Sequence, residues 1–168
     1  LSIDLDVFWN TSETIYINRD KQVDPKLKTY LDILSKVKYG QFQIGIDHHE
    51  LCFFLDQFDE PFTVSNLDAH HDLYGENHKI WLNPIYVRGR AITIGNFFLQ
   101  LMREKSLHKL NWIIPYYLNI DDSYNELKKQ IGTYYSQKVE ISKLEEFKPL
   151  ERYDLIFISI SPEWIPPV

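Results

Sequence analysis

The residues best suited to chemistry lie between Asn66 and Tyr74, in the stretch Asn-Leu-Asp-Ala-His-His-Asp-Leu-Tyr. Asp68, His70 and Asp72 occupy alternate positions there, and alternate side chains of extended backbone point to the same side. Two carboxylates and an imidazole would then converge on one point, which is typical of a metal site. Taken alone, the stretch fits a polar loop after a strand equally well.

The same residue types occur within or directly after two other apolar stretches. Asp4 and Asp6 alternate with apolar residues at the start of the chain, and Asp47 and His48 directly follow a second apolar run. Five of the six histidines fall between His48 and His78. Because unrelated loops would rarely place these residue types after three separate strands, the sequence favours a metal site over polar loops.

The elements predicted to position these residues are strands that alternate with helices. We predict strands at Leu1–Trp9, Phe42–Ile46, Phe62–Leu67, Leu110–Leu118, Gln137–Ile141 and Asp154–Ile160. We predict helices from Pro25 to a stop at Gly40, from His49 to Phe58, from Asn96 to Lys105, and from Asp121 to Ile131. This order predicts a three-layer α/β/α fold with a mostly parallel sheet, in which sites lie beyond the carboxyl ends of the strands.

Composition limits the classes of partner. A length of 168 residues predicts one domain spanning residues 1–168. The net charge of −6 and the lack of clustered Lys and Arg argue against nucleic acid as the main partner. Neither a signal-like start nor an apolar run of roughly twenty residues occurs, so we expect no membrane insertion and a cytoplasmic location. Cys52 lies in an apolar run and is predicted to be buried and inert.

The donor set limits the choice of metal. The candidate ligands are Asp4, Asp6, His48, Asp68, His70 and Asp72. Carboxylates and imidazoles without thiolates suit manganese, iron or zinc, and this set exceeds the three protein ligands of a usual catalytic zinc. We therefore predict two ions, roughly 3.5–4 Å apart and bridged by carboxylates, that lower the pKa of a shared water and present hydroxide to an electrophilic carbon. Hydrolysis is the predicted reaction.

Three motifs resemble those of the ureohydrolases, or arginase-like enzymes. The stretch Ser2-Ile3-Asp4-Leu5-Asp6 is similar to their Ser-x-Asp-x-Asp motif, Gly45-Ile46-Asp47-His48 to Gly-Gly-Asp-His, and Asp68-Ala69-His70-His71-Asp72 to Asp-Ala-His-x-Asp. The first motif comes late in arginases and first here. That order, and the closing Ser159-Ile160-Ser161-Pro162-Glu163-Trp164, resemble the divergent family that includes peptide arginases.

The resemblance implies a function and a set of roles. It implies two Mn²⁺ ions per chain: one held by His48, Asp68, Asp72 and Asp4, the other by Asp68, His70, Asp4 and Asp6. Asp4 and Asp68 would bridge the ions, and Asp72 would orient the bridging hydroxide. The implied reaction converts arginine to ornithine and urea, within a ribosomally made peptide during its maturation or in a small guanidino substrate. Whether the chain forms a homo-oligomer stays open.

Other roles rest on weaker signals. Glu163 is our candidate for holding the guanidinium, although a surface Glu beside a turn proline explains it equally well. His78 is our candidate proton donor, and its alternative is a solvated loop histidine. We expect His49 and His71 to pack beside the ligands, and Asp47 is a candidate to orient a ligand histidine.

Two rival functions remain at this point. A zinc deacetylase of the same fold would match His48-His49 as tandem histidines and Asp68 with His70 as its Asp-x-His motif. Asp72 and the Asp4 and Asp6 pair argue against it, because they supply ligands for a second ion. The other rival is a non-catalytic binding domain, although a relic of this kind would be expected to have lost a carboxylate.

Overall fold

The computed structural model of the chain describes residues 1–5, 27–58, 61–74, 84–87, 89–93, 95–104, 106–115 and 117–160. The strands are β1 (Ser2–Asp4), β2 (Lys38–Gly45), β3 (Phe62–Leu67), β4 (Ile85–Val87), β5 (Arg90–Ile92), β6 (Leu107–Ile114), β7 (Val139–Lys143) and β8 (Arg152–Ser159). The helices are α1 (Leu27–Leu34), α2 (Leu51–Leu55), α3 (Phe97–Arg103) and α4 (Ile120–Ser136), with single 3₁₀ turns at His48–Glu50 and Leu144–Glu146.

Six of these strands form one sheet in the order β2-β8-β1-β3-β6-β7. Every neighbouring pair in that sheet is parallel. The short strand β1 lies in the middle, where Ser2 is opposite Asn66 of β3 and Phe157 of β8. The carboxyl ends of β1, β2 and β3 therefore meet at one edge of the sheet, as the site prediction requires.

The sheet separates two hydrophobic cores. Leu155 and Phe157 of β8 belong to one core, and Ile156 and Ile158 pack in the other, because successive side chains of a strand point to opposite faces. Residues of α2, α3 and α4 fill the first core, whereas Leu34 of α1 packs against the second. The chain thus has the predicted three-layer α/β/α fold with a parallel sheet.

Some element boundaries differ from the predictions. Helix α1 ends at Leu34, and Gly40 lies inside β2 rather than stopping a helix. A Cβ on Gly40 would stand 2.8 Å from the carbonyl oxygen of Asp154, so the close strand contact selects glycine there. Pairing along the full length of β8 overrides the local helical pattern. Of the predicted first strand, residues 6–9 lie outside the described part of the chain.

Two further predictions are corrected, and one observed element was not predicted. The helix predicted from His49 to Phe58 is a 3₁₀ turn followed by the five-residue α2, and Phe53 is half-exposed. Strand β6 ends at Ile114, before Pro115, because a proline interrupts the ladder. The β4–β5 hairpin was not predicted. Strand β3 has the predicted bounds, and α4 loses helical geometry at Gly132, next to its predicted end.

Within the described residues, no helix is both long enough and apolar enough to cross a bilayer.

Candidate metal centre

Asp68 is fixed in place by its neighbour strand. It follows β3 directly, its backbone N–H donates to the carbonyl oxygen of Ile113 at 3.1 Å, and its own carbonyl oxygen accepts from Trp112 Nε1–H at 3.0 Å. Both partners belong to β6. The side chain is 1% exposed. Sheet pairing thus delivers a carboxylate into the interior at the carboxyl edge of the sheet.

The two carboxylate oxygens of Asp68 face different imidazoles. Oδ2 lies 2.9 Å from His48 Nδ1 and accepts from Asn66 Nδ2 at 3.2 Å. Oδ1 lies 3.8 Å from His70 Nδ1 and accepts the His70 backbone N–H at 2.7 Å. Asp68 therefore lies between the buried imidazole of His48 and the imidazole of His70, whose side chain is 33% exposed. This is the disposition expected of a bridging carboxylate.

His48 lies in the 3₁₀ turn after β2 and is surrounded by carboxylates. Its Nδ1 is 2.9 Å from Asp68 Oδ2, 2.9 Å from Asp72 Oδ2 and 3.6 Å from Asp4 Oδ2. One ligand atom each from Asp4, His48 and Asp68 fit within 4.8 Å of one another, and all three residues are buried. The structure therefore brings together ligands predicted from three separate motifs.

Short distances around His48 do not amount to hydrogen bonds. Among the described residues, His48 Nδ1 and Asp72 Oδ2 are buried atoms without a hydrogen bond of acceptable geometry. Buried polar atoms in proteins nearly always have a hydrogen-bond partner, so the absence of one at these two atoms needs an explanation. A cation between the carboxylates and the imidazole lone pair would satisfy them. The donor set consists of oxygens and one imidazole nitrogen, which fits a divalent ion such as manganese or zinc.

The opposite nitrogen of His48 contacts Ser2. Ser2 Oγ lies 2.6 Å from His48 Nε2, and both residues are fully buried. A metal ligand at Nδ1 requires the proton on Nε2, where Ser2 is positioned to accept it. Ser2 Oγ is therefore positioned to orient the His48 ring, and the orienting role of Asp47 stays a prediction.

Aromatic rings enclose the same imidazole. The ring of Phe97 contacts His48 edge-on at 5.0 Å between centroids, Phe98 does so at 5.8 Å, and Phe157 stacks at 6.4 Å. All three phenylalanines are fully buried. Packing at this density holds a side chain in one rotamer. The His48 ring is thus packed against three phenylalanine rings and contacts Ser2 at Nε2.

Asp72 has an uncommon backbone conformation. Its φ is 52°, in the left-handed region that few residues other than glycine adopt. Its carbonyl oxygen accepts the Phe98 N–H at 3.3 Å, which ties it to α3. Strained residues of this kind cluster at functional sites. In this conformation the Asp72 carboxylate lies with Oδ2 2.9 Å from His48 Nδ1.

The charges in this cluster influence one another. Burial raises the pKa of Asp68, and the nearby Asp72 raises it further, against the opposing effect of His48. Burial alone would lower the pKa of His48, but the neighbouring carboxylates of Asp68 and Asp72, which favour the protonated imidazole, raise it well above its ordinary value. Without a metal, the cluster therefore retains protons to balance its carboxylates. A divalent cation would supply that positive charge instead.

Other predicted residues have mixed outcomes. Asp6, His78 and Glu163 lie outside the described residues, so their roles stay predictions. His49 and His71 are buried, and His71 packs against Tyr74 and Trp112, with ring centroids 4.2 and 5.5 Å away. His71 Nδ1 accepts the Leu73 N–H at 3.0 Å, so it packs beside the ligands as expected.

Sequence reasoning missed three supporting residues, Ser2, Asn66 and Trp112. The signal for Ser2 and Asn66 was present, because each lies two positions before a predicted ligand and shares its side of the strand. No comparable signal marks Trp112, whose hydrogen bond to Asp68 depends on the pairing of β3 with β6.

A cavity of about 870 Å³ lies at the opposite end of the sheet from this cluster. Its lining includes Phe62–Ser65 at the start of β3 and Arg152–Leu155 at the start of β8. Ligands of parallel α/β sheets bind at the carboxyl ends of the strands. The cavity therefore lies toward the amino ends of the strands and shares Ser2 with the candidate metal centre.

The chain matches no protein-family model, no curated protein and no solved structure.

Proposed function

We propose that this chain is a binuclear metallohydrolase of the ureohydrolase type, which uses two Mn²⁺ ions to hydrolyse the guanidinium of arginine to ornithine and urea. The observation that carries the proposal is the position of Asp68, with one oxygen toward His48 and the other toward His70. The family resemblance of the three motifs supports the choice of reaction.

The residues divide into ligands and supports. His48, Asp68, Asp72 and Asp4 would hold one ion, and Asp68, His70, Asp4 and Asp6 the other. Ser2 keeps the proton on His48 Nε2, and Asn66 donates to Asp68 Oδ2. When bound, divalent ions act as Lewis acids and make water a nucleophile at neutral pH.

The reaction itself is a hydrolysis. A water oxygen joins the guanidinium carbon Cζ, the Cζ–Nε bond breaks, and a proton is delivered to Nε, which leaves as the ornithine amine. Proton transfer to the leaving group requires an acid within hydrogen-bonding reach, the role proposed for His78. Recognition of the cationic guanidinium is proposed for Glu163. An arginine inside a peptide is the preferred substrate in this proposal.

The test combines a metal count with a substrate assay. We expect two manganese ions per chain by elemental analysis after loading, and ornithine with urea from an arginine peptide by mass spectrometry. Asp68→Asn should abolish metal retention and reduce turnover by at least about 10³-fold, because the bridging charge is lost. The matched control is Asp32→Asn, which alters an exposed carboxylate on α1 and should change neither. Full turnover by Asp68→Asn would refute the site.

One observation favours a second candidate, a mononuclear zinc deacetylase. The ligand atoms that the described residues bring within 4.8 Å come from three residues, Asp4, His48 and Asp68. Three protein ligands are the usual number for a catalytic zinc. A single zinc per chain, with hydrolysis of acetyl-lysine peptides and none of arginine peptides, would replace the arginase proposal. Metal binding without any turnover would indicate a binding domain instead.

A further inference from the structure

Strand β2 lies at one edge of the six-stranded sheet, and its outer side is exposed. It pairs with β8 on one side, and within the described part of the chain no strand pairs with the other side. Proteins usually protect such an edge with charges, prolines or a very short strand. Strand β2 has eight residues, and positions 39–46 contain neither a charge nor a proline. This edge therefore lacks the usual protection against pairing with another strand.

The neighbouring strand β8 shows which way the backbone groups of β2 point. Phe157 N–H donates to the carbonyl oxygen of Leu1 at 2.9 Å, so Phe157 faces β1. Successive strand residues direct their N–H and C=O groups to opposite sides, so Ile156 and Ile158 face β2. Ile160 faces β2 as well, because its N–H donates to a carbonyl oxygen of that strand at 3.2 Å. The alternation along β8 is thus regular from Phe157 to Ile160.

The same alternation identifies the outward groups of β2. Gly45 accepts the Ile160 N–H, so Gly45 faces β8, and Gln43 two positions earlier does the same. The N–H and C=O groups of Phe42 and Ile44 therefore point away from the sheet. Each copy of the chain presents four unpaired backbone groups at this edge.

The next outward N–H group, that of Ile46, is already bonded. It donates to Glu50 Oε2 at 3.0 Å. A strand added to this edge therefore has two residues of β2 to pair with, Phe42 and Ile44, and the ladder ends before Ile46.

These groups are self-complementary in one antiparallel register. If Phe42 lies opposite Ile44 of a second copy, Ile44 lies opposite Phe42 of that copy. Each hydrogen-bonded pair of an antiparallel ladder exchanges two bonds, so the two pairs use all of the outward groups of both residues in both copies. A register centred on Ile44 would instead oppose Phe42 to Ile46, whose N–H is taken by Glu50. In the first register, the twofold axis passes beside Gln43.

The side chains of the edge favour the same register. Phe42 and Ile44 are 43% and 60% exposed, and they share the sheet face of their β8 partners Ile156 and Ile158. Residues directly opposite in a ladder lie on the same face, so each Phe42 ring would cover Ile44 of the other copy. Aromatic and β-branched residues form favourable cross-strand pairs. Half-exposed Leu31 belongs to α1, the helix that packs on this face through Leu34.

Charges at the two ends of β2 have opposite signs. Lys36 and Lys38 are exposed at its amino end, whereas Asp47 and Glu50 follow its carboxyl end. An antiparallel pair of copies brings the cationic end of one strand beside the acidic end of the other. The pairing segment between these ends is uncharged, so the net charge of −6 on each chain does not oppose contact there.

We propose that the outer edge of β2 is a homodimer interface, at which two copies of this chain pair antiparallel about a twofold axis beside Gln43 and form one continuous twelve-stranded sheet. The ladder has four hydrogen bonds, two between each Phe42 and Ile44 of the other copy. The interface is at the small end of the range for protein complexes, so the dimer is expected to dissociate on dilution. It does not depend on a bound metal.

The first experiment measures mass against concentration by sedimentation velocity. The mass should rise from the chain mass of 20.1 kDa to twice that value as the concentration increases. A single-chain mass up to about 300 µM would overturn the proposal, because it would imply a Kd weaker than that of a specific dimer. Growth beyond two chains would also contradict it, since pairing of β2 with β7 of another copy forms an open chain of sheets.

A pair of variants tests whether β2 is the interface. Ile44→Lys places an ammonium opposite Phe42 of the other copy and should weaken dimerisation at least about tenfold. Tyr134→Lys is the matched control, because Tyr134 is an exposed apolar residue of α4, away from β2, and it should leave dimerisation unchanged. Both changes are at exposed positions, and circular dichroism checks that both variants fold. Equal dimerisation by the two variants would contradict the β2 interface.

Cysteine cross-linking tests the register. Directly opposed residues of a non-hydrogen-bonded pair have Cα atoms about 4.5 Å apart, within the range of a disulfide. Gln43→Cys should therefore form a disulfide between the copies on oxidation, seen as a reducible dimer on a gel. In Gln41→Cys the two thiols are offset by roughly 13 Å along the strand and should not cross-link. Native Cys52 is buried and does not compete. Cross-linking through Gln41→Cys but not Gln43→Cys, or through neither variant, would refute this register.

Discussion

At the scale of residues, the candidate metal centre contains both candidate ligands and residues that position those ligands. His48 packs against the rings of Phe97, Phe98 and Phe157, and its Nε2 contacts Ser2. Fixing a ligand before the metal arrives reduces the entropy lost on binding. The affinity of the site should therefore depend on groups that never touch the ion.

The Ser2 hydroxyl provides a test of this dependence. Ser2→Ala should weaken Mn²⁺ binding about 10–100-fold by isothermal titration calorimetry, because the acceptor that fixes the His48 tautomer is lost. Ser35→Ala is the control, since that hydroxyl is exposed and donates to the Asp32 carbonyl oxygen. Unchanged affinity in Ser2→Ala would show that ring packing alone orients His48.

Metal binding should also depend on pH. The pKa of His48 is raised well above its ordinary value and that of Asp68 is raised too, so the metal-free cluster retains protons that a cation must displace. Mn²⁺ affinity should fall as the pH is lowered, by about tenfold per pH unit for each proton displaced. Calorimetry in two buffers with different protonation enthalpies measures the number of protons released at pH 7. A release of zero protons would contradict the claim that the metal-free cluster retains protons.

At the scale of elements, the site depends on where strands end and helices begin. Strand β3 ends at Leu67 and delivers Asp68, and α3 begins at Phe97, beside His48. Helix α4 lies farther along the chain and contributes Leu127 to the hydrophobic core that also contains Phe97 and Phe98 of α3. Its first turn is capped by Asn119, whose Oδ1 accepts the N–H groups of Asp121 and Asp122 at 2.8 and 3.2 Å.

The Asn119 cap gives a prediction for this element. Asn119→Ala should lower the free energy of unfolding by about 1 kcal/mol, because two N–H groups lose their partner. The corresponding fall in Tm is about 2–4 °C, measured by circular dichroism. Asn125→Ala, at an exposed position inside α4, should be neutral or slightly stabilising. An equal loss in both variants would argue against the cap.

At the scale of the whole molecule, the free thiol of Cys52 reports on the core. Cys52 is 1% exposed, and burial raises the pKa of its thiol. Reaction with a thiol reagent should therefore require unfolding, and saturating Mn²⁺ should slow it further by stabilising the folded state. The measurement is the labelling rate with and without urea. Complete labelling of the folded chain within minutes would contradict the packing of α2 against the sheet.

The sequence alone determined the local features of this protein. The sequence predicted β3 with its observed bounds, and it placed Asp68, His70 and Asp72 directly after that strand. The alternation of strands and helices predicted the three layers, because a period of two or of 3.6 residues reports which side of an element is buried. Residue types then identified the candidate ligands, since carboxylates and imidazoles keep their chemistry in any fold.

Only the tertiary structure decided which groups meet. The order β2-β8-β1-β3-β6-β7 places Ser2 beside His48, Trp112 beside Asp68 and Gly40 against Asp154. Strand neighbours are chosen by burial and backbone pairing summed over the whole sheet, and no local pattern records that sum. The sequence therefore identified the candidate ligands, whereas the fold determined the geometry of those within the described residues.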